Sequence, residues 1–270
     1  MFHINISMNC ETQNKKPDVC EPLEKVGVKN LRTLVKVGSK DNIYKFVPRI
    51  EITVDLPAEK KGAHMSRLIE SISEIAQQET FERHDTFEIL ERNILDQLEK
   101  RHPYTRGEIN IDTELVVNKK TPVTKKPTHE THDIGVKLVK DHGKFRKTLK
   151  VKVLGNTVCP HAMQNTGKPH IQRAIAEIEI ECDYNNKISL EQIINVAEKS
   201  FSSEVYTLLK TEDENSVVER MYANPRFVED VTRAILKGCS RFKGCKIKAR
   251  TTAQESIHRH DVIAEGFICT

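Results

Sequence analysis

The sequence predicts an α+β fold in which antiparallel sheets are each backed by a pair of helices. Polar and apolar residues alternate along several runs, as half-buried strands require. Between those runs the apolar residues recur at helical spacing. The order strand, strand, helix, helix, strand, strand is also read twice along the 270 residues, which implies two copies of one unit. On this reading 1–25 is an amino-terminal extension, 26–145 the first unit and 146–270 the second.

In the first unit a short strand is expected around Leu34–Val37, then a longer one from Ile43 through Val54. A helix beginning near Ser66 carries Leu68, Ile69, Ile72 and Ile75 on one side, and a second carries Phe87, Leu90, Ile94, Leu95 and Leu98. The period then returns to two over Ile109–Val117 and Ile134–Val139. In the second unit Lys147–Leu154 reads as a strand ended by Gly155, and Ala174–Glu181 is the cleanest alternation in the chain. Ser189 suits the N-cap of a helix through Ile193, Ile194 and Val196. Asn224-Pro225 places proline at the first turn of a helix through Phe227, Val228, Val231, Ile235 and Leu236, closed by Gly238. Strands over Cys245–Thr251 and Val262–Ile268 complete the copy. Helices on one face leave the other face and the outer strands uncovered, so assembly of several subunits is expected.

Composition narrows the function. Hydrophobic residues make up 37% and charged residues 30%, as in a globular domain, and 43 basic against 39 acidic residues leave only +4, too little to argue for a nucleic-acid partner. Lys119-Lys120 and Lys125-Lys126 flank Pro122 and Pro127 and read as a solvated loop. The stretch from Met1 to Cys20 has no apolar run behind a basic start, so neither signal peptide nor membrane anchor is expected and a cytoplasmic location is. The seven cysteines, Cys10, Cys20, Cys159, Cys182, Cys239, Cys245 and Cys269, follow no framework spacing, so no disulfide scaffold is expected.

Three short segments carry the chemistry. Cys159-Pro160-His161, His170-Ile171-Gln172-Arg173 and Glu255-Ser256-Ile257-His258-Arg259-His260 bring thiol, imidazole and carboxylate groups into the second unit. Such a set can hold zinc or ferrous iron and leave a position for a reactive water. Taken singly, each residue has an ordinary reading: a buried thiol, a satisfied polar histidine, a solvated helix start or turn for Glu214, an exposed helix face for Glu229. His258 and His260 alternate at a strand entrance and so share a face, which favours a joint role.

These segments, with Lys61-Gly62-Ala63-His64-Met65-Ser66-Arg67, Leu209-Lys210 and Asp213-Glu214, and Asn224-Pro225-Arg226-Phe227-Val228-Glu229-Asp230, resemble the type IB GTP cyclohydrolases from about Val26 to the end of the chain. The resemblance implies a bimodular tunnelling fold assembling as a homotetramer, a dimer of dimers. It implies an enzyme that adds water at guanine C8 of GTP, opens the ring, releases formate and closes a dihydropterin. Cys159, His170 and Glu214 match the family's metal positions, for one divalent ion per subunit, ferrous iron first and zinc or manganese after it. Such an ion lowers the pKa of its water from about 15.7 toward about 7. Cys159, Glu255, His258 and His260 match catalytic positions, and Glu229 matches the carboxylate that accepts two hydrogen bonds from guanine. Arg67, Arg173 and His64 are the candidates for the triphosphate.

His161 stands where many bacterial relatives have a second cysteine, and the segment to His170 is one residue shorter than theirs; ligand, proton carrier and spectator all remain open for it. This variant resembles archaeal members, which release 7,8-dihydroneopterin 2′,3′-cyclic phosphate for methanopterin synthesis; bacterial members release the triphosphate for folate. Two rivals stay open: a tunnelling-fold nitrile reductase with a nucleophilic cysteine, and a non-catalytic purine-binding protein with a closed metal shell.

Overall fold

A computed structural model describes residues 12–39, 42–77 and 86–270; Cys10 lies outside them. The chain divides into two compact units, Met1–Ile111 with Lys137–Phe145, and Asp112–Val136 with Arg146–Thr270.

The first unit contains strands β1 (Leu23–Arg32), β2 (Val35–Ser39), β3 (Asn42–Phe46) and β4 (Arg49–Leu56), then helices α1 (Met65–Gln77) and α2 (Phe87–Arg101). The expected single strand from Ile43 to Val54 is two, because Pro48 cannot donate to a ladder and interrupts the run at Val47-Pro48. β2 and β3 form their own hairpin, whereas β4 pairs antiparallel with β1. The alternation of Ile50, Ile52, Val54 and Leu56 buries one face of β4. Leu68, Ile72 and Ile75 of α1 are buried with Phe87, Leu90, Ile94, Leu95 and Leu98 of α2, while Ile69 is exposed. Asp55 accepts from the backbone of Thr105 and Arg106 at 2.9 and 2.8 Å, fixing where the chain re-enters the sheet.

Two long strands, β5 (Arg106–Lys120) and β6 (Pro127–Asp141), supply residues to both units. In the second unit they are followed by β7 (Lys144–Val158), α3 (Pro160–Thr166), β8 (Ile171–Asp183), α4 (Leu190–Ser200), β9 (Ser203–Glu204), α5 (Thr211–Ala223), α6 (Val228–Cys239), β10 (Cys245–Gln254) and β11 (Asp261–Cys269). The strand order runs β5-β6-β7-β8-β10-β11, with β9 on β7. β7 and β8 pair antiparallel in unbroken register from Arg146↔Asp183 to Val158↔Ile171. One face buries Leu149, Val151, Val153, Ala176, Ile178, Ile180, Ile247 and Ala249 together with Ile193, Ile194, Ala197, Val231 and Ile235 of α4 and α6. The other face carries charge ladders such as Lys152–Glu177 at 2.8 Å and Lys248–Glu265 at 3.1 Å.

Several expectations shift. Gly155 does not end β7: a Cβ there would sit 2.2 Å from the Phe201 ring, so glycine admits that ring against the strand. Ser189 caps α4 in a capping box with Gln192, as its sequence suggests. Pro225 precedes α6 by three positions, and Gly238 lies inside that helix, which is capped at Ser240. α3, a single short stretch, was not anticipated as a helix, whereas the acidic run at Glu214 does open one, α5. Lys119 is not a loop residue. It lies in β5, 16% exposed, and bridges Glu198 at 2.8 Å and Glu204 at 2.9 Å. Burial alone would lower its pKa, but these two carboxylates raise it.

Glu108 is the centre of an ion-pair cluster in the first unit. Its side chain, 8% exposed, accepts from Lys25 and Arg106 at 2.7 Å and pairs with Lys137 at 2.9 Å. Burial would raise its pKa; the hydrogen bonds from the three cations win and hold it at about 2. Because the folded value is depressed, its stabilisation is complete above the unfolded value of about 4.3 and is lost as pH falls through about 2. Acid titration of stability should therefore show a shallower loss between those limits in Glu108→Gln than in the parent chain; parallel curves would refute the assignment.

Candidate active site

The β7–β8 ladder ends at Val158↔Ile171, and the next residue on each side is Cys159 and His170. The Cys159 N–H donates to the His170 carbonyl at 3.2 Å, so the two stay side by side beyond the last strand pair. α3 fills the connection between them. Cys159 is its N-cap, with Sγ accepting from the Ala162 N–H at 3.4 Å, Pro160 occupies the first turn, and Gly167 closes it at φ 66, a left-handed conformation that glycine adopts without strain. Below this corner Val158, Val217 and Met221 form a small apolar cluster with Ile171, Tyr206 and Leu209, which seats α5 against the ends of β7 and β8.

α6 is brought to the same corner by the segment before it. The Asn224 amide donates to the carbonyls of Phe201 and Ser202 at 3.1 and 3.4 Å. Arg226 donates to Asn224 Oδ1 at 3.0 Å and to the Ser200 carbonyl at 2.6 Å, and its backbone N–H to the Val158 carbonyl at 3.0 Å. Within α6, Thr232 Oγ1 donates to the Val228 carbonyl at 2.8 Å and lies 2.9 Å from Thr251 Oγ1 of β10. The helix thus starts next to Cys159 and lies over β10 and β11.

A cavity of about 310 Å³ results, lined by Cys159, His170 and Gln172, by Phe227, Val228 and Glu229 at the start of α6, and by Glu255, His258, His260 and Val262. Six sequence candidates are brought together here. His258 and His260 lie in the turn between β10 and β11, not in the strand; their rings stack at 5.0 Å and 24°, which keeps them on one side. The Glu255 side chain is 9% exposed and 3.5 Å from His170 Nδ1. Gln172, to which the sequence assigned no role, bridges the two: His170 Nδ1 lies 3.0 Å from its Oε1, and its Nε2 donates to Glu255 Oε1 at 3.0 Å. The i, i+2 spacing from His170 at a strand start was its sequence signal. Phe227, 44% exposed at the cavity wall, was the other residue missed.

The remaining candidates stand elsewhere. Glu214 is exposed on the first turn of α5 and is not part of the cavity lining. Its neighbour Asp213 is fully buried and accepts from Val123 N, Thr124 N, Thr124 Oγ1 and Lys210 N at 2.8, 2.9, 2.6 and 3.1 Å. Burial pushes the Asp213 carboxyl up, and these hydrogen bonds more than reverse it, leaving the pKa well below the ordinary range. His161 is exposed on α3, with its carbonyl accepting from Asn165 at 2.9 Å. Arg173 is exposed on β8. His64 and Arg67 belong to the first unit; the His64 ring meets that of His102 edge-on at 5.8 Å, and Arg67 donates to the Arg101 carbonyl at 3.3 Å.

Among the described residues no three Cys, His, Asp or Glu side chains converge closely enough to grip an ion as they stand. The donor chemistry still fits a borderline divalent metal: a thiol and an imidazole on adjoining positions, with a carboxylate attached through a shared amide. The exposed imidazole pair and Glu229 at the opposite wall add proton carriers and an acceptor for paired donors.

A family model described as type I GTP cyclohydrolase folE2 matches residues 10–264. The chain belongs to the type I GTP cyclohydrolase family. Similar members include GTP cyclohydrolase MptA of Thermococcus kodakarensis, 50% identical over 265 residues that cover 96% of this chain and 99% of that protein. The MptA protein of Pyrococcus abyssi is 50% identical over 266 residues, covering 96% and 100%, and that of Methanococcus aeolicus 34% over 304, covering 96% of each. Among solved structures, uricase from Arthrobacter globiformis aligns with a TM-score of 0.54 at 10% identity, over 92% of this chain and 93% of that one. At that identity the likeness concerns fold alone: this cyclohydrolase-family chain has the tunnelling fold, with antiparallel sheet and helices in each unit. Among the described residues no helix is long and apolar enough to cross a membrane.

The polar clamp before α6 is what holds Glu229 and Phe227 at the cavity. Asn224→Ala leaves two carbonyls and Arg226 without their partner and should cost about 1–3 kcal/mol, read as a lower urea midpoint at unchanged slope; an unaltered midpoint would refute the clamp.

Proposed function

We propose that this chain is a metal-dependent GTP cyclohydrolase that hydrolyses GTP at guanine C8, releases formate and forms 7,8-dihydroneopterin 2′,3′-cyclic phosphate. The observation that carries the reading is the cavity lined together by Cys159, His170 and Glu255 and by Phe227 and Glu229 at the start of α6. The family match and the 50%-identical MptA relatives support it.

Each group then has a task. Glu229 accepts the guanine ring N–H and exocyclic amine, a paired-donor pattern that adenine lacks. Phe227 offers the flat apolar surface beside it. Cys159 and His170 would hold the divalent ion, ferrous iron first, with the third donor from Glu214 or Glu255. When bound, that ion supplies hydroxide at neutral pH by acidifying its water. His258 and His260, stacked at the cavity mouth, exchange protons with the guanine imidazole nitrogens as the ring opens and formate departs. Arg67, Arg173 and His64 are the candidates for the triphosphate. β11 ends the strand order and leaves an edge that another subunit can cover, which is compatible with the homotetramer, a dimer of dimers, and with the cytoplasmic location expected of the family.

Anaerobic incubation of the metal-stripped protein with GTP and ferrous iron or zinc should yield formate and, by mass spectrometry, a pterin carrying a cyclic phosphate. An intact triphosphate would replace the cyclic product with the folate-type one, and no formate with any metal would overturn the reading. Glu229→Gln, which keeps the shape but replaces the carboxylate's paired acceptors, should cost about a hundredfold in kcat/KM, near 3 kcal/mol. Cobalt titration of Glu214→Gln and Glu255→Gln identifies the third donor: the variant that loses affinity by tenfold or more names it, and no change in either would remove both from the shell.

A further inference from the structure

Gln172 is 8% exposed and touches two groups of the cavity at once. Its Oε1 is 3.0 Å from His170 Nδ1, and its Nε2 is 3.0 Å from Glu255 Oε1. With Glu255 as a carboxylate, one placement of hydrogens satisfies both contacts. An ionised carboxylate accepts and never donates, so the amide must turn its NH₂ to Glu255. Its carbonyl oxygen then faces His170 Nδ1, and two acceptors at that distance would repel each other. Nδ1 therefore carries a hydrogen. Glu255 Oε2, 3.5 Å from the same nitrogen, lies on the acceptor side as well. In the neutral ring the lone pair is thus left on Nε2, although a neutral histidine in water favours hydrogen on Nε2.

We propose that Gln172 is a positioning residue that transmits the charge of Glu255 to the tautomer of His170, so that Nε2 is presented as a ligand nitrogen while Glu255 is held in place by the same amide. The consequence for metal binding rests on the function proposed above; the tautomer itself does not. A partner on the far nitrogen of a ligating histidine fixes ring orientation and typically contributes tenfold to hundredfold in metal affinity. Here that partner is neutral, and its orientation is dictated by a third group. Truncating Gln172 should therefore disturb the imidazole and the carboxylate together, whereas a carboxylate at 172 should separate them: it still accepts from Nδ1–H but opposes Glu255 with a second acceptor.

The test begins on the metal-free protein labelled with ¹⁵N-histidine, at a pH where the ring is neutral and with His170 assigned by difference against His170→Asn. Long-range ¹H–¹⁵N correlation should show the Nδ1–H form in the parent chain and mainly the Nε2–H form in Gln172→Met. Hydrogen on Nε2 in the parent, or an unchanged tautomer in Gln172→Met, would overturn the proposal. Cobalt(II) alone is then titrated and followed by its visible and thiolate charge-transfer bands. Gln172→Met should bind it about tenfold to hundredfold more weakly, while Gln172→Glu should bind it like the parent but lose kcat at unchanged KM. Equal loss of affinity in both variants would refute the division of labour. A parent chain that binds no cobalt would instead overturn the metal reading, with the tautomer result still deciding the role of Gln172.

Discussion

The unbroken antiparallel register of β7 and β8 is the constraint on which the cavity depends. Thirteen cross-strand pairs from Arg146↔Asp183 to Val158↔Ile171 leave no freedom in where the strands end, because a slip by one residue would turn Leu149, Val151 and Val153 out of the core. The connection then needs only a short capped helix to return the chain, and the residues just outside the last pair are necessarily neighbours. Cys159 and His170 occupy those two places. Their proximity is a property of the ladder more than of either residue.

The rest of the site is hung on that corner by polar groups that do not themselves face the cavity. Asn224 and Arg226 satisfy carbonyls at the end of α4 and β7 that would otherwise be left open, and so fix the start of α6. Asp213 gathers four donors from the β5–β6 loop and its own helix start, and holds α5 in the same manner. In both places a well-bonded polar residue lies close in sequence to an exposed one with chemical potential: Glu229 three residues after the half-buried Arg226, and Glu214 directly after the buried Asp213. Rigid anchoring beside an accessible group is how a site keeps geometry without burying the group that must meet a ligand.

Within the cavity the groups differ sharply in exposure. Glu255, Gln172 and His170 form a partly buried chain of hydrogen bonds, whereas His258, His260 and Glu229 stand at the exposed side. The hydrogen-bonded chain suits holding; the exposed imidazoles are open to solvent and suit exchange of protons. Phe227 and Val262 supply apolar lining to the same cavity.

The six candidate residues that share the cavity came from the resemblance to the cyclohydrolases, and Gln172 and Phe227 were missed, but local pattern was enough for the α+β class and for most strands and helices, since alternation and helical spacing depend on burial, which acts residue by residue. It was also enough to place Cys159, His170, Glu255, His258, His260 and Glu229 in the second unit, because their motifs are contiguous. Pattern failed where a long-range contact overrode it: Gly155 sits in mid-strand because a distant phenylalanine ring needs the space, Lys119 is buried because two carboxylates from α4 and β9 meet it, and the acidic run at Asp213 is a folded anchor because distant backbone donors fill its oxygens. Gln172 had only its i, i+2 spacing from His170 to mark it. An amide in a strand says nothing by itself, and only the tertiary structure, by setting an imidazole at one end and a carboxylate at the other, decides which way it points.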